Sequence, residues 1–555
     1  MFPKRLGVSA FRYSVVSTTC RTTTGLLAHA PARGLRWSVE LETHKLASAE
    51  EIINEGEINR QLEETRELAR DPLVIRDILA KAKQRALLQD IKGPVGSEYV
   101  QGLNLRETAT LLNLDAHSKE PENQKLMQEL FDTALAIKQN IYGNRIVLFA
   151  PLYLANYCVN SCTYCAFRGA NTHIARSALT KEELIQEVQV LEKQGHRRLL
   201  ILTGEHPKYT FDQFLDALHT VKNVKTDPCG DIRRINVEIP ALSVSDFRRL
   251  KATDCVGTYT LFQETYHRES FRRFHPSGPK SDYEHRLQTM DRAQIAGIDD
   301  VGIGGPLFGL HDYRFEVMGL LMHAQHLEST FGAGPHTISI PRMRPADHAP
   351  DAIRPPAPVD DEDFKKLVAI LRCAVPYTGM ILSTRESAEM RRELLNLGVS
   401  QMSAGSKTEV GSYHKGDVGA EAKIKQQFEA EDQKEKKEKK ESGQFELADE
   451  RSTEDVVKDL MQMGFLPSWC TACYRLGRTG EAFMKIAKKG DIQNFCHPNS
   501  LLTLQEYLKD YASEDTKTLG EAVIARERET ISARAKKALD KKLKRIDAGE
   551  RDLYF

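Results

Sequence analysis

Eight short apolar runs alternate with amphipathic helical segments between residues 145 and 404, and no other feature of the chain constrains its fold as strongly. The runs expected as strands are Arg145–Ala150, Arg198–Thr203, Ile235–Pro240, Thr258–Phe262, Asp300–Gly304, His336–Pro341, Gly379–Ser383 and Val399–Ala404. Between the first two, Thr180-Lys181-Glu182-Glu183 reads as a capping box, in which hydroxyl and carboxylate each satisfy a free backbone N–H. Leu184, Val188 and Leu191 follow on one helical face. Ser243 to Asp246 opens a second helix in the same way. Strands separated by helices pair in parallel, and eight such units close on themselves. The expected fold class is α/β, a (β/α)8 TIM-type barrel over 145–404, with its chemistry at the C-terminal ends of the strands.

The flanks read differently. Residues 40–144 form an N-terminal helical extension, periodic over Glu51–Arg70 and Leu126–Gln139. Residues 420–443, through Gln433-Lys434-Glu435-Lys436-Lys437-Glu438-Lys439-Lys440, are a charged low-complexity insertion where no chemistry is expected. Residues 444–555 form a C-terminal helical extension with a periodic stretch at Thr453–Met463 and a basic helical tail, Arg528–Phe555. The first 39 residues lack Asp and Glu but carry Lys4, Arg5, Arg12, Arg21, Arg33 and Arg36 among many Ser and Thr. That composition predicts an organellar transit peptide. Lys+Arg and Asp+Glu both number 78, so net charge suggests no nucleic-acid partner. No apolar run approaches the length of a membrane span.

Two cysteine triads carry the chemistry. Cys158, Cys162 and Cys165, spaced C-x3-C-x2-C, stand just past the first strand. Three thiolates on one loop can hold three corners of a cubane iron–sulfur cluster, leaving one iron open to bind and cleave a small molecule. A structural zinc ion wants four ligands, and His173 is too far along to supply the fourth. The second triad is Cys470, Cys473 and Cys496, spaced C-x2-C-x22-C. His497 could complete a Cys3His zinc site there, but the first triad already commits the chain to cluster chemistry. The other four cysteines, Cys20, Cys229, Cys255 and Cys373, have no motif spacing, and ten in so long a chain make no disulfide scaffold.

The first triad matches the signature of radical S-adenosylmethionine enzymes. With the second triad come Phe262-Gln263-Glu264-Thr265-Tyr266-His267-Arg268, Gly334-Pro335-His336-Thr337-Ile338-Ser339 and the ending Glu550-Arg551-Asp552-Leu553-Tyr554-Phe555. Together they resemble the family of radical S-adenosylmethionine tyrosine lyases that mature FeFe-hydrogenases, from about Glu50 to the C-terminus and interrupted by the Lys/Glu insertion. The resemblance implies a 4Fe–4S cluster on Cys158, Cys162 and Cys165 that reduces S-adenosylmethionine to methionine and a 5′-deoxyadenosyl radical. L-tyrosine is then cleaved between Cα and Cβ to p-cresol and dehydroglycine. It implies a second 4Fe–4S cluster on Cys470, Cys473 and Cys496 that bears an extra iron, where carbon monoxide and cyanide are formed for the hydrogenase H-cluster.

Individual roles follow from the same resemblance. Gly204-Glu205 would hold the cofactor's methionine ammonium, a carboxylate pairing with a cation; Thr203 replaces the first glycine of the usual motif. Tyr164 and Phe167 would cover the adenine. His336 would ligate the extra iron, with His323 and His326 as the next candidates. Arg342, Arg344 and Arg385 follow strands six and seven, and one of them, with Arg385 named as the candidate, would bind the tyrosine carboxylate through a bidentate fork; sequence does not say which. Implied partners are a low-potential electron donor such as a ferredoxin or flavodoxin, and other hydrogenase maturation proteins. Oxygen-sensitive clusters point to a hydrogenosome or mitochondrion-like matrix, with a plastid as the alternative. Two competing functions are a tyrosine lyase supplying dehydroglycine for thiamine thiazole synthesis and an iron–sulfur assembly scaffold without turnover. His336 and the C-terminal cysteine spacing argue against the first, and Gly204-Glu205 against the second.

Overall fold

The computed structural model describes residue 37 and residues 44–86, 102–417, 442–488 and 492–555. The expected transit segment apart from Trp37, and the charged insertion apart from its last two residues, lie outside the described residues.

Eight strands close into a parallel barrel: β1 (Arg145–Ala155), β2 (Arg198–Thr203), β3 (Arg234–Glu238), β4 (Val256–Leu261), β5 (Val301–Ile303), β6 (Thr337–Ser339), β7 (Gly379–Leu382) and β8 (Gln401–Ser403). Each pairs in parallel with the next, and β8 returns to β1 with Gln401 opposite Val147. Helices cover the outside, as a parallel sheet requires. The capping box at Thr180 is present: Thr180 N–H donates to Glu183 Oε2 at 2.8 Å, and Glu183 N–H to Thr180 Oγ1 at 3.2 Å. Ser243 caps the helix Val244–Ala252 through the Asp246 N–H at 3.1 Å.

A ninth strand, β9 (Leu466–Ser468), was not expected. It pairs with the start of β1, Arg145 opposite Leu466 and Val147 opposite Ser468. Val147 already faces Gln401 on one side, so β9 occupies the other side, where β2 begins to pair only at Ala150. At its other end β1 runs five residues past its expected end at Ala150 because β2 pairs with it from Ala150 to Ala155. β9 delivers the second triad, which starts two residues after Ser468, to the N-terminal mouth of the barrel.

Two helical expectations need correction. Glu51–Arg70 is not one helix but Ala49–Ile52, Glu55–Glu64 and a single 3-10 turn at Leu68–Arg70. Asn54 breaks it, because its side chain accepts the Glu57 N–H at 2.9 Å and starts a new helix. The basic tail is helical at Arg528–Glu529, the end of the helix Glu514–Glu529, and over Ala533–Asp547; Glu550–Phe555 run without regular structure across the second triad's surroundings. Leu126–Gln139 lies within a longer helix, Pro121–Tyr142. No described helix is long and apolar enough to cross a membrane.

Candidate functional site

The first triad lies on the loop that leaves β1. Backbone bonds tie that loop to its neighbours: Val159 N–H to Glu205 O at 2.9 Å, Ser161 N–H to Ser277 O at 3.1 Å, and Thr163 N–H to Phe274 O at 3.1 Å. Asn160 is the pivot. Its Nδ2 donates to Glu205 Oε2 at 3.0 Å and reaches Cys158 Sγ at 3.6 Å, while its Oδ1 accepts the Lys280 N–H at 2.8 Å. Gly204 allows this approach, since a Cβ there would lie 2.2 Å from the Tyr157 carbonyl oxygen. Glu205 is thereby brought, 7% exposed, beside Cys158. Burial pushes the Cys162 thiol up to about 12 and raises that of Cys165. Such thiols ionise when a metal takes them as ligands.

A cavity opens beside Cys165, lined among others by Tyr164, Glu238, Glu264, Arg385 and Gln444. Of the three candidate arginines only Arg385 reaches it, with its guanidinium 3.4 Å from the centre of the Phe445 ring. Arg342 is engaged by Glu386 and, at 2.7 Å, by Asp361. Arg344 does not line the cavity. Tyr164 does, its hydroxyl 2.7 Å from His275 Nε2. Phe167 does not: it is buried edge-on against Tyr153, ring centroids 5.9 Å apart, and supports the loop from beneath. Glu238 was not foreseen. Burial, reinforced by the neighbouring Glu264, pushes its carboxyl up to about 8. Glu264 itself has φ of 73° and is held by Lys280 at 2.5 Å and Arg286 at 3.6 Å. A non-glycine residue in that conformation is stored strain, which tends to occur at working sites.

At the opposite mouth, Cys470, Cys473, Cys496 and His336 line one cavity. His336 precedes β6, with Nδ1 3.6 Å from Asp300 Oδ1 and its ring against Phe483. Burial lowers its pKa, so the imidazole is neutral and available as a ligand. His497 points elsewhere, its Nε2 3.3 Å from Thr530 Oγ1 and 3.5 Å from Glu527 Oε2. His323 is buried against the Tyr266 hydroxyl at 3.1 Å, and His326 against Asp291 at 2.7 Å; neither lines the cavity. The thiols sit in a cationic nest. A hydrogen bond with Cys473 lowers the Cys496 thiol to about 6, helped by Arg145, Arg478 and Arg198. Burial raises Cys470 to about 11.

The arginines were the missed signal. Arg145, Arg198 and Arg234 open β1, β2 and β3, and all three line this cavity. Arg198 and Arg234 stand directly opposite each other across two strands, where like charges repel. Arg234 is offset by Asp300 at 3.0 Å, but Arg145 Nη1 and Arg198 Nε are buried with no hydrogen-bond partner among the described residues. A group held by three thiolates carries the negative charge these cations need. Three thiols at each end of the barrel, at the second end inside this cationic nest, are a donor set that fits an iron–sulfur cluster. The one group of three metal-ligand side chains within 4.8 Å of one another among the described residues, His117, Asp360 and Asp363, is largely exposed, and Asp363 is already taken by Tyr313 and Lys366.

The two cavities occupy opposite ends of one barrel. Arg234 starts β3 in the second and Glu238 ends it in the first, about 13 Å away at a strand's usual rise.

Comparison with known proteins matches two family models, the Radical SAM superfamily over residues 152–318 and the Biotin and Thiamin Synthesis associated domain over 339–466. A crystal structure of HydG, a maturase of the FeFe-hydrogenase, is 45% identical, covers 91% of this chain and 100% of its own, and superposes with a TM-score of 0.79. The FeFe-hydrogenase maturase HydG from Carboxydothermus hydrogenoformans is 35% identical, covering 90% and 100%, with a TM-score of 0.69. The 2-iminoacetate synthase of Escherichia coli K12 is 29% identical over 65% of this chain and 87% of its own.

Proposed function

Because the chain belongs to the HydG family of FeFe-hydrogenase maturases and carries a radical S-adenosylmethionine domain, we propose that it cleaves L-tyrosine and turns the fragment into carbon monoxide and cyanide on iron. Bound at its two ends, the clusters and S-adenosylmethionine supply a 5′-deoxyadenosyl radical at the first site and an iron-collecting centre at the second. Cys158, Cys162 and Cys165 hold the first cluster. Glu205 pairs with the methionine ammonium, and Gly204 keeps the loop close enough for it to do so. Arg385 takes the tyrosine carboxylate. Its guanidinium is half-buried and makes no ion pair among the described residues, so a carboxylate would find a partly desolvated, unclaimed cation. Tyr164 walls the site and helps exclude water from a radical reaction. Cleavage gives p-cresol and dehydroglycine, and the dehydroglycine crosses the barrel to the second site. There Cys470, Cys473 and Cys496 hold the auxiliary cluster, and His336 holds the extra iron that is the cargo.

The observation that carries this reading is the pairing of two open thiol triads at opposite ends of one barrel, the second in unpaired positive charge and beside His336. Supply of dehydroglycine for thiamine thiazole would need no second triad. An electron donor of low potential, transfer to other maturation proteins and an organellar address encoded in residues 1–39 belong to the same proposal. The test is anaerobic reconstitution with iron and sulfide, then turnover with tyrosine, dithionite and S-adenosylmethionine. The unaltered protein should give p-cresol, 5′-deoxyadenosine and carbon monoxide. With Cys158, Cys162 and Cys165 all replaced by Ala, p-cresol above background would overturn the reading.

A further inference from the structure

Gln444 belongs to no motif, yet it touches the first triad from 279 residues away. It lies on a strap, residues 442–449, that crosses the mouth of the first cavity. Both ends of the strap are fixed. Ser442 Oγ donates to Asp347 Oδ2 at 2.6 Å, and Glu446 N–H to Pro345 O at 2.9 Å. Ala448 and Asp449 donate their N–H groups to Thr384 O at 3.0 and 3.2 Å. The Asp449 carboxylate is buried against Arg391 and Arg451. Between these anchors Phe445 lies on Arg385. The Gln444 carbonyl accepts the Ala166 N–H at 3.3 Å, and its own N–H donates to Thr408 O at 3.3 Å.

The side chain is oriented as firmly as the backbone. The buried Tyr153 hydroxyl donates to Gln444 Oε1 at 2.8 Å, and this turns the amide Nε2 toward Cys165 Sγ at 3.8 Å. The flipped amide would aim an oxygen at a thiolate, which has only lone pairs to offer. We propose that Gln444 is a positioning residue whose N–H···S bond to Cys165 raises the reduction potential of the cluster on the first triad. The proposal rests on the cluster reading of that triad. Reduction adds negative charge that is shared with the ligand sulfurs, and a donor aimed at a sulfur stabilises the reduced form more than the oxidised one. Asn160 offers Cys158 a similar bond but also holds Glu205, so removing it would disturb cofactor binding. The Gln444 side chain, by contrast, hydrogen-bonds only Tyr153 and Cys165 among the described residues.

The experiment is an EPR-monitored redox titration of the full-length, reconstituted protein, following the cluster signal that changes when S-adenosylmethionine is added. Gln444→Met keeps the length of the side chain and loses the donor. Tyr153→Phe keeps the donor and loses the hydroxyl that aims it. The midpoint should move to more negative potential in Gln444→Met and part of the way in Tyr153→Phe, while the midpoint of the second cluster stays where it was. An unmoved midpoint in Gln444→Met with its first cluster fully loaded overturns the proposal. Should that variant lose its cluster, an unmoved midpoint in Tyr153→Phe overturns it instead. Absence of a cofactor-responsive signal in the unaltered protein removes the cluster reading itself, a result distinct from both.

Discussion

Lys138 is buried with no hydrogen-bond partner for its ammonium among the described residues, and that ammonium sits 4.6 Å from the Phe465 ring centre. Burial, then Arg372 and Arg145, lower its pKa to about 7. The sign of the consequence is fixed. The folded value lies below the unfolded one, so below about pH 7 folding bears the full cost of a buried ammonium, and that cost shrinks as pH rises toward the unfolded pKa. Lys138→Met should therefore stabilise the protein at pH 7 by roughly 2 kcal/mol or more, with a smaller gain at pH 9.5. Urea unfolding at the two pH values checks this, and an equal gain at both would show that packing, not charge, is responsible. His336 gives a second prediction at this scale. His336→Asn removes one ligand from a labile iron while each cubane keeps three thiolates, so the high-spin EPR signal of the extra iron should vanish and both cluster signals persist. Tyrosine cleavage should continue, because it happens at the other mouth. Proportional loss of both activities together with a lowered Tm would assign the imidazole a packing role. Single residues were legible where chemistry fixes spacing, as in both triads. They were illegible where a partner decides: Arg342 and Arg385 look alike in sequence, and only Glu386 and Asp361 show that Arg342 is taken.

Each triad hangs from its own element, and the two should fail separately. The first depends on the loop after β1, the second on β9 and on the helix Ile492–Asp510 that carries Cys496. Replacing both Cys470 and Cys473 by Ser should leave p-cresol formation largely intact and cut carbon monoxide by at least about tenfold, the scale on which weakened metal sites lose function. A parallel fall in p-cresol would mean that the second site supports the whole barrel. The eight barrel strands were readable because buried parallel strands are continuous apolar runs and the helices between them begin with capping residues, with full capping boxes at Thr180 and Thr210. β9 was not, since it is three residues long and contains Pro467, which usually argues against a strand. It is tolerated because β9 needs only one neighbour. The division of Glu51–Arg70 was likewise hidden, because helical periodicity runs on through Asn54 even though that side chain restarts the helix.

Across the whole molecule, the last residues bind the C-terminal extension to the barrel around the second site. Arg551 pairs with Asp510 at 2.5 Å, and the Asp552 N–H donates to Glu506 Oε1 at 2.7 Å. The Asp552 carboxylate meets Arg475 and, at 3.2 Å, Arg233. Tyr554 lies under Arg475, and the Phe555 N–H donates to Asn499 Oδ1 at 2.8 Å. These contacts join three bodies: the segment with Cys470 and Cys473, the helix with Cys496, and the base of β3. None reaches the first cavity. Removing Arg551–Phe555 would leave Arg475 without its carboxylate and Asp510, now 4% exposed, without its guanidinium. Breaking a buried pair by deleting one partner costs about 3–5 kcal/mol, and a half-buried one less. The loss should appear locally first, as loosened spacing among three thiols that must hold one cluster. The truncated protein should accordingly load the first cluster and make p-cresol at nearly the full rate, while the second cluster's EPR signal and carbon monoxide output fall together. Iron and sulfide analysis with EPR on the two clusters decides it. Equal loss of both clusters would mean that the tail stabilises the barrel as a single unit, and retention of both would mean that β9 and the arginine nest hold the second site unaided.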